Sequence, residues 1–373
     1  MKILQITKRY NPYVGGIEQV TEDIASSFEN VEQRIICFNH EKGTKREKVN
    51  GVEVVRVNCP VIIASQPIAI GYKKVLKEEI KDFKPDIVIF HYPNPFASHF
   101  LLKYLKKKTF KLITYYHADI VKQKFLKIFF NRQTNKLLSS SEIVVATSPN
   151  YIGDSEFLSK YKNKCVVIPN CVNTDRLKGV NEKLVNQIKE KYKNKCLCFA
   201  VGRHVPYKGM EYLIRASKYL DERFQIVIGG SGPLTNKLKE LAKDDNKVEF
   251  VGRIEPELLK SYFQTSDIFC FPSITKNEAF GIALAEAMYY GKPAITFTIP
   301  GSGVNYVNIK NETGLEVENS NYEEYAKAII KLYENKELRE KYGTNAKARV
   351  EKLFTLNSFK ENINSLVDKI TSK

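Results

Sequence analysis

Short apolar runs alternate with amphipathic stretches along most of the 373-residue chain. Such alternation predicts βαβ units and parallel sheets. In the first half, the predicted strands are KILQIT, RIICF, VEVVRV, DIVIF, KLITYY, EIVVAT and CVVIP, with helices at 17–28, 72–83 and 97–106. The pattern then restarts with the strands CLCFAVG, FQIVIGG, KVEFVG, DIFCFPS and PAITF, and with helices at 209–220, 234–243, 256–264 and 281–290.

The restart of the pattern predicts an α/β fold with two doubly wound parallel-sheet domains that face a central cleft. A chain of this length also exceeds what one hydrophobic core usually supports. The polar stretch 173–195 is interpreted as the linker, which places the domains at 1–175 and 176–354. The last segment, 355–373, has one apolar face, and we expect it to pack back on the first domain.

The formal net charge is +17, and the segment 101–138 holds ten Lys or Arg residues against one acid. Aromatic and aliphatic residues are interleaved with these cations, a pattern that suits an anionic membrane surface. The alternative is a helix with a buried apolar stripe and a solvated basic face. Of the partners that a basic protein can bind, we expect a membrane and phosphorylated ligands rather than nucleic acid.

The N-terminus, MKILQITKRY, is too short and too polar for a signal peptide, and no apolar run is long enough to span a bilayer. The seven cysteines lack metal-ligand spacing, so we expect reduced thiols and no metal site. The predicted location is the cytoplasm, with peripheral attachment to the inner face of the plasma membrane.

Glycines and cations follow the predicted strands, where open α/β sheets bind their ligands. Gly15 and Gly16 precede the first helix, Arg203 and Lys208 flank the loop GRHVPYKG, and Gly230 lies in the turn IGGSGPL. Backbone amides and two cations at helix starts suit a diphosphate. The alternative is that the glycines only form turns and that the cations are only surface charges on a loop. The absence of G-x-G-x-x-G after the first strand of either half argues against a dinucleotide oxidoreductase.

Two carboxylates bracket the apolar start of a helix in NEAFGIALAEAMYYGKPAI. Glu278 lies in the loop before this helix, the amides of Ala279, Phe280 and Gly281 are expected to be free donors, and Glu286 lies in the second turn. A carboxylate can accept paired hydrogen bonds from vicinal hydroxyls, such as those of a ribose. The arrangement predicts a nucleoside diphosphate sugar as ligand. The alternative is a helix-start acid with a second acid at the surface.

These motifs, in this order, resemble the retaining glycosyltransferases of family 4, which have the two-Rossmann GT-B architecture. The resemblance covers most of the chain and rests on EAFGIALAE, GRHVPYKG, GGSGPL, SDIFCFPS, the first glycine pair, and YYHAD with His117. It looks most like bacterial O-antigen and polysaccharide mannosyltransferases. One departure is visible: many members carry a proline and a glutamate near 301–305, where this chain reads GSGVNYVN with Asn305.

The resemblance implies a role for each site residue. Arg203 and Lys208 would neutralise the diphosphate leaving group. Glu278 would bind hydroxyls of the donor sugar, Glu286 would bind the ribose, and His117 would face the donor sugar. No Asp-x-Asp pair occurs in the sequence, so cations and amides are expected to replace a metal ion in a retaining, metal-independent transfer.

The expected donor is GDP-mannose, with UDP-N-acetylglucosamine, UDP-galactose and UDP-glucose as open alternatives. The expected acceptor is an oligosaccharide or a polyprenyl-diphosphate-linked saccharide in the biosynthesis of O-antigen, lipopolysaccharide or capsule. Two other classes compete with this hypothesis. A nucleotide-sugar epimerase can share the GT-B fold, and a non-catalytic membrane- or nucleic-acid-binding protein would explain the charge but leave Glu278 and Glu286 without a purpose.

Overall fold

The computed structural model describes residues 1–13, 15–39, 41–63, 66–107, 109–119 and 127–372. It divides into two compact units: unit 1 comprises Met1–Asn170 and Asn357–Lys373, and unit 2 comprises Cys171–Leu356. Each unit is a Rossmann-like domain built on a parallel sheet, so the predicted fold class is confirmed. The units divide between Asn170 and Cys171, slightly before the boundary expected after residue 175.

Unit 1 contains an eight-stranded sheet in the order β10-β9-β8-β7-β1-β2-β4-β3, in which only β3 runs antiparallel to its neighbour. A separate hairpin pairs β5 with β6. The strands are β1 (Lys2–Ile6), β2 (Glu32–Asn39), β3 (Lys45–Val49), β4 (Val52–Asn58), β5 (Val61–Ile63), β6 (Gln66–Ile68), β7 (Ile87–Tyr92), β8 (Lys111–Tyr116), β9 (Ile143–Ala146) and β10 (Cys165–Val167). The helices are α1 (Gly16–Ala25), α2 (Tyr72–Glu78), α3 (Pro95–Leu101), α4 (Lys127–Ser140) and α5 (Pro149–Asp154).

Unit 2 contains a six-stranded, all-parallel sheet in the order β13-β12-β11-β14-β15-β16. The strands are β11 (Cys196–Val201), β12 (Phe224–Gly229), β13 (Val248–Gly252), β14 (Ile268–Phe271), β15 (Ala294–Phe297) and β16 (Gly314–Val317). The helices are α6 (Thr174–Leu177), α7 (Glu182–Lys191), α8 (Met210–Ser217), α9 (Thr235–Leu241), α10 (Pro256–Thr265), α11 (Ile282–Tyr289), α12 (Val304–Val307), α13 (Tyr322–Glu334) and α14 (Lys336–Leu353).

Burial explains why the predicted strands form. All six residues of β7 and of β12 are buried, as expected for parallel strands covered by helices on both faces. In both sheets, the chain leaves one side of the first strand and returns on its other side, so a topological switch point lies between β1 and β7 and another between β11 and β14. Ligands of open α/β sheets bind outside the strand ends at such points.

The predicted linker is wrong for most of its length. The stretch 173–195 folds as α6 and α7 within unit 2, with Asn181 capping α7 through its side chain. Val185 and Ile188 on α7 are buried, and Tyr192, just after the helix, donates a hydrogen bond to Glu249 on β13 at 3.1 Å. Two buried apolar residues three positions apart are enough to bury one face of a helix whose remaining positions are mostly charged or polar.

The antiparallel strand β3 was not predicted, because KREKV is almost entirely polar. A turn signal was nevertheless available. Asn50 and Gly51 join β3 to β4 with positive φ values of 48° and 83°, and an Asn-Gly pair is the strongest short-range indication of a β-hairpin.

The last helix, α15 (Leu356–Thr371), packs on unit 1. Asn364 Nδ2 donates to the carbonyl of Ser27 at 3.0 Å, and Lys111 Nζ on β8 donates to the carbonyl of Ile370 at 2.5 Å. None of the helices in the described ranges is both long and apolar enough to cross a bilayer. All seven cysteines are free thiols.

Candidate nucleotide-sugar site

Four loops of unit 2 meet at the carboxyl ends of its central strands, and hydrogen bonds tie them together. The loop after β11 connects to the loop after β12 through His204 N and Ser231 O at 3.0 Å. It connects to the loop after β14 through Ile274 N and Tyr207 O at 2.9 Å. The hydroxyl of Ser302, after β15, donates to the Glu278 carbonyl at 2.5 Å. The predicted motifs of unit 2 therefore form one continuous surface at the β11/β14 switch point.

Two of the predicted site glycines are required by this arrangement of loops. Gly230 has a φ of 108°, and a Cβ atom there would collide with the carbonyl oxygen of Gly202. Gly281 has a φ of 94°, and a Cβ atom there would lie 3.1 Å from the Phe271 ring. A left-handed backbone is costly for residues with a side chain. The structure thus explains both glycines by close packing of the protein chain on itself.

Lys208 and Glu278 form an ion pair at the centre of this surface. Their side chains are only 14% and 13% exposed, and the Lys208 amine lies 5.0 Å from the centroid of the Phe271 ring. The hydroxyl of Ser273 donates to Glu278 Oε2 at 3.3 Å. The sequence placed these two residues in separate motifs with separate roles, and the fold brings them together. An ion pair this well shielded from water is screened less than a surface pair.

Arg203 lies in the same loop as Lys208, but it is exposed. Its guanidinium forms no hydrogen bond or ion pair with any residue in the described part of the chain. A guanidinium that has no protein partner keeps its donors available for a bidentate contact with phosphate oxygens.

Glu286 lies in the second turn of α11, among the apolar residues of IALAEAMY. It is half-buried, and its carboxylate has no hydrogen-bond or ion-pair partner within the described ranges. Burial raises its pKa from 4.5 to about 7. A carboxylate that lacks a partner in an apolar helix is costly to the fold, so its presence favours a functional role.

Helix α11 begins at Ile282, with Gly281 as its N-cap, so the amides of Ala279, Phe280 and Gly281 lie in the loop just before the helix. The Phe280 ring is buried and packs edge-on against Phe354, with ring centroids 5.3 Å apart. The amides of Phe280 and Gly281 donate to no described residue. They are therefore available to an anion at this helix start.

Asn305, the point of departure from the family pattern, braces the loop after β15. Its Oδ1 accepts from Ile299 N at 2.7 Å, and its Nδ2 donates to the Phe297 carbonyl at 3.1 Å. Both ends of the amide are thus bonded to backbone. In this chain the residue fixes the end of β15, a role that a carboxylate without donors could fill only in part.

In unit 1, the predicted glycine pair lies at the start of α1. Gly15 is the N-cap residue, in an extended conformation, and the Glu18 carboxylate folds back against it. Gly16 has open space around its Cα atom. Because a carboxylate already lies at this helix start, the anion site expected at Gly15 and Gly16 has an internal competitor.

His117 follows β8 directly and is 6% exposed. Its ring stacks on Tyr115, with centroids 4.9 Å apart, and its Nε2 lies 3.0 Å from Nδ1 of His91. Burial lowers the pKa of His117 to about 3, so the ring is neutral at physiological pH. His91 was not predicted as a site residue. One signal was available in the sequence. His91 is the next-to-last residue of a buried apolar strand, so it lies at the carboxyl edge of the sheet, where ligands bind.

The basic segment 101–138 includes most of α4, and part of it (108 and 120–126) lies outside the described residues. Leu137 and Leu138 are fully buried, whereas Arg132 and Lys136 are exposed. This part of the segment therefore has a buried stripe and a solvated basic face. Between α3 and α4 lies a cavity of about 430 Å³ with an apolar floor and a basic rim. Its lining residues are Ile68, Pro95, Phe96, His99, Leu102, Phe130, Arg132, Gln133 and Lys136.

The two Rossmann-like units, with their motifs at the strand ends, define the GT-B class of glycosyltransferases. The fold is similar to that of HepE from Anabaena, crystallised in complex with UDP, with a TM-score of 0.81, 17% identity and coverage of 99% of this chain and 100% of that one. The family described as Glycosyltransferase Family 4 matches residues 14–176, and the one described as Glycosyl transferases group 1 matches residues 181–349.

Two relatives match over nearly their full lengths. D-rhamnosyltransferase WbpZ of Pseudomonas aeruginosa is 31% identical over 360 residues, which cover 95% of this chain and 92% of the relative. O-antigen chain mannosyltransferase C of Escherichia coli is 29% identical over 360 residues, which cover 95% of both chains. The chain belongs to glycosyltransferase family 4, and the predicted resemblance is confirmed.

Proposed function

We propose that the protein transfers a hexose of manno configuration from a nucleoside diphosphate donor, GDP-mannose, to a growing surface polysaccharide such as O-antigen. The two relatives support the sugar, since their names specify mannose and D-rhamnose, and D-rhamnose is the 6-deoxy form of D-mannose. The observation that carries the proposal is the surface at the β11/β14 switch point, where the shielded Lys208–Glu278 pair and the unpaired Glu286 carboxylate follow adjacent strands.

The proposed chemistry divides the diphosphate and the hydroxyls between different groups. Lys208, Arg203 and the free amides before α11 neutralise the diphosphate as its bond to the sugar breaks. Glu278 exchanges its contact with Lys208 for hydroxyls of the donor sugar, and Glu286 accepts hydrogen bonds from the ribose. Fixed cations and amides of this kind stabilise the leaving group without a divalent metal. The reaction retains configuration through departure and attack on one face of the sugar.

The proposed acceptor is a polyprenyl-diphosphate-linked saccharide, and the protein meets it at an anionic membrane surface. Support comes from unit 1. The cavity between α3 and α4 combines an apolar floor with exposed Arg132 and Lys136, which suits an isoprenoid chain and its phosphates. The hairpin that supplies Ile68 to this cavity also exposes Val61 and Ile62, and Ile70 beyond it is 91% exposed. Apolar groups beside cations are typical of membrane-surface binding.

The experiment that tests this function is a panel of donors with a defined acceptor. The protein is incubated with GDP-mannose, UDP-N-acetylglucosamine, UDP-galactose or UDP-glucose, with and without lipid-linked acceptor, and free nucleoside diphosphate is measured. We expect acceptor-dependent release of GDP and a product whose anomeric configuration, read by NMR, matches that of the donor. Acceptor-independent conversion of the sugar would identify an epimerase. Release from UDP-sugars alone would overturn the proposed donor, and an inverted product would overturn the proposed stereochemistry.

A further inference from the structure

Three buried polar side chains form a continuous hydrogen-bonded chain across neighbouring strands of unit 1. Gln5 on β1, His91 on β7 and His117 after β8 are 1%, 1% and 6% exposed. His91 Nε2 lies 3.0 Å from Gln5 Oε1, and His91 Nδ1 lies 3.0 Å from His117 Nε2. The chain crosses the β1/β7 switch point, where this sheet is expected to face a ligand.

The proton on each ring follows from the contacts of Gln5. The amide nitrogen of Gln5 donates to the Thr21 carbonyl at 3.4 Å, which directs its oxygen towards His91. An amide oxygen can only accept, so His91 must carry its proton on Nε2. The Thr21 hydroxyl, 3.5 Å from the same nitrogen, bonds more closely to the Ile17 carbonyl at 2.8 Å.

The second ring is then determined by the first. A neutral imidazole has one N–H, so Nδ1 of His91 is an acceptor, and His117 must donate to it from Nε2. This leaves Nδ1 of His117 without a proton. It has no hydrogen-bond partner among the described residues, and His117 keeps 6% of its surface exposed, so Nδ1 is the ring nitrogen left for a ligand.

We propose that Gln5 and His91 are positioning residues that hold His117 in one tautomer, so that its Nδ1 only accepts a hydrogen bond from a hydroxyl of the bound sugar. A site that only accepts discriminates a hydroxyl from a fluorine or an ether oxygen at the same position. The identity of the ligand rests on the proposed function. The tautomer rests on the geometry of unit 1 alone.

The tautomer is measured directly by two-bond ¹H–¹⁵N correlation NMR of the full-length protein labelled at its histidines, of which there are five. His91→Asn and His117→Ala assign the two rings. We expect both rings as the Nε2–H form at pH 7. His91→Asn leaves an amide oxygen close to where Nδ1 was, so His117 should keep its tautomer. His91→Leu removes the acceptor, and the Nδ1–H form of His117 should appear.

Some outcomes overturn this assignment of protons. Finding His117 as the Nδ1–H form in the unsubstituted protein would do so, and so would an unchanged tautomer in His91→Leu. If His91→Leu does not fold, Gln5→Met interrupts the same chain from its other end, and the spectrum of the unsubstituted protein still decides the question.

Kinetics test the positioning role. His91→Leu should lower kcat/KM by about tenfold, the size of one lost hydrogen bond, and His91→Asn should restore most of it. In a His117→Ala background, His91→Leu should have little further effect, because both changes act through one contact. Full kcat/KM in His91→Leu, or additive losses in the double variant, would overturn the role of His91. Absence of any transfer by the unsubstituted enzyme would instead overturn the proposed function. The NMR spectrum would still decide the tautomer of His117.

Discussion

Replacing Glu286 by Gln should stabilise the free protein and weaken its binding of nucleotide. The carboxyl pKa is raised from 4.5 to about 7 by burial, so the folded state holds the proton more tightly than the unfolded state. At about 1.4 kcal/mol per pKa unit, this difference corresponds to roughly 3.5 kcal/mol at most. Because the side chain remains partly exposed, solvent screening reduces the effect, and we expect about 1–2 kcal/mol.

The effect has a defined direction with pH. Well below pH 4.5, Glu286 is protonated in both states, so the two proteins should be equally stable. As the pH rises from 4.5 to 7, the unfolded state ionises first, and the unsubstituted protein loses stability relative to the variant. Above pH 7 the difference is constant. For a domain of this size, each kcal/mol of this difference raises the Tm of the variant above that of the unsubstituted protein by about 2–4 °C.

Binding should change in the opposite direction. An ionised carboxylate accepts both vicinal hydroxyls of a ribose, whereas an amide has one acceptor atom, so Glu286→Gln should weaken GDP binding by about 1.5–3 kcal/mol. Binding also favours the ionised form, so GDP should displace a proton from the unsubstituted protein near pH 7 and not from the variant. Calorimetry in buffers of different ionisation enthalpy measures both quantities.

The matched control is Glu351→Gln, which removes an exposed acid of unit 2. It should change neither the difference in Tm between pH 4.5 and pH 8 nor the affinity for GDP. If Glu286→Gln behaves like this control in both assays, Glu286 is neither desolvated nor part of the nucleotide site, and the role assigned to it is wrong.

The remaining predictions concern the other parts of the proposed mechanism. Glu278→Ala should leave the affinity for GDP nearly unchanged but lower kcat, because contacts that strengthen in the transition state lower the barrier to reaction; loss of GDP binding with normal turnover of bound donor would contradict this. Transfer should persist in excess chelator, whereas loss of activity that magnesium or manganese restores would exclude leaving-group stabilisation by the protein alone. In flotation assays the protein should bind anionic liposomes better than neutral ones, less at high salt, and less again after Arg132→Glu with Lys136→Glu; equal recovery in all conditions would exclude electrostatic attachment.

The sequence by itself determined the two Rossmann-like units and the order of the motifs. Strands such as IVIFHY and FQIVIG are apolar on both faces, and turn residues follow them within a few positions. These signals are local, because side-chain periodicity depends only on the backbone conformation of the segment itself. The placement of Glu278 before a helix and of Glu286 in its second turn followed from the same local pattern.

Where local composition was ambiguous, only packing decided. The stretch 173–195 is polar enough for a linker, yet two buried residues make part of it a helix of unit 2. The same limit applies to β3, whose charged residues gain their conformation from pairing with β4. Burial of a single face is a property of the neighbouring elements, and a sequence pattern with few apolar positions does not specify it.

The tertiary structure alone decided which polar groups face one another. Lys208 meets Glu278 across two loops, and Gln5, His91 and His117 meet across three strands although they are far apart in the chain. Contacts of this kind depend on strand order and on the distances between atoms, neither of which leaves a periodic signal. The same is true of the raised pKa of Glu286 and the lowered pKa of His117. Both arise because the folded chain removes water from groups whose ionised forms need it.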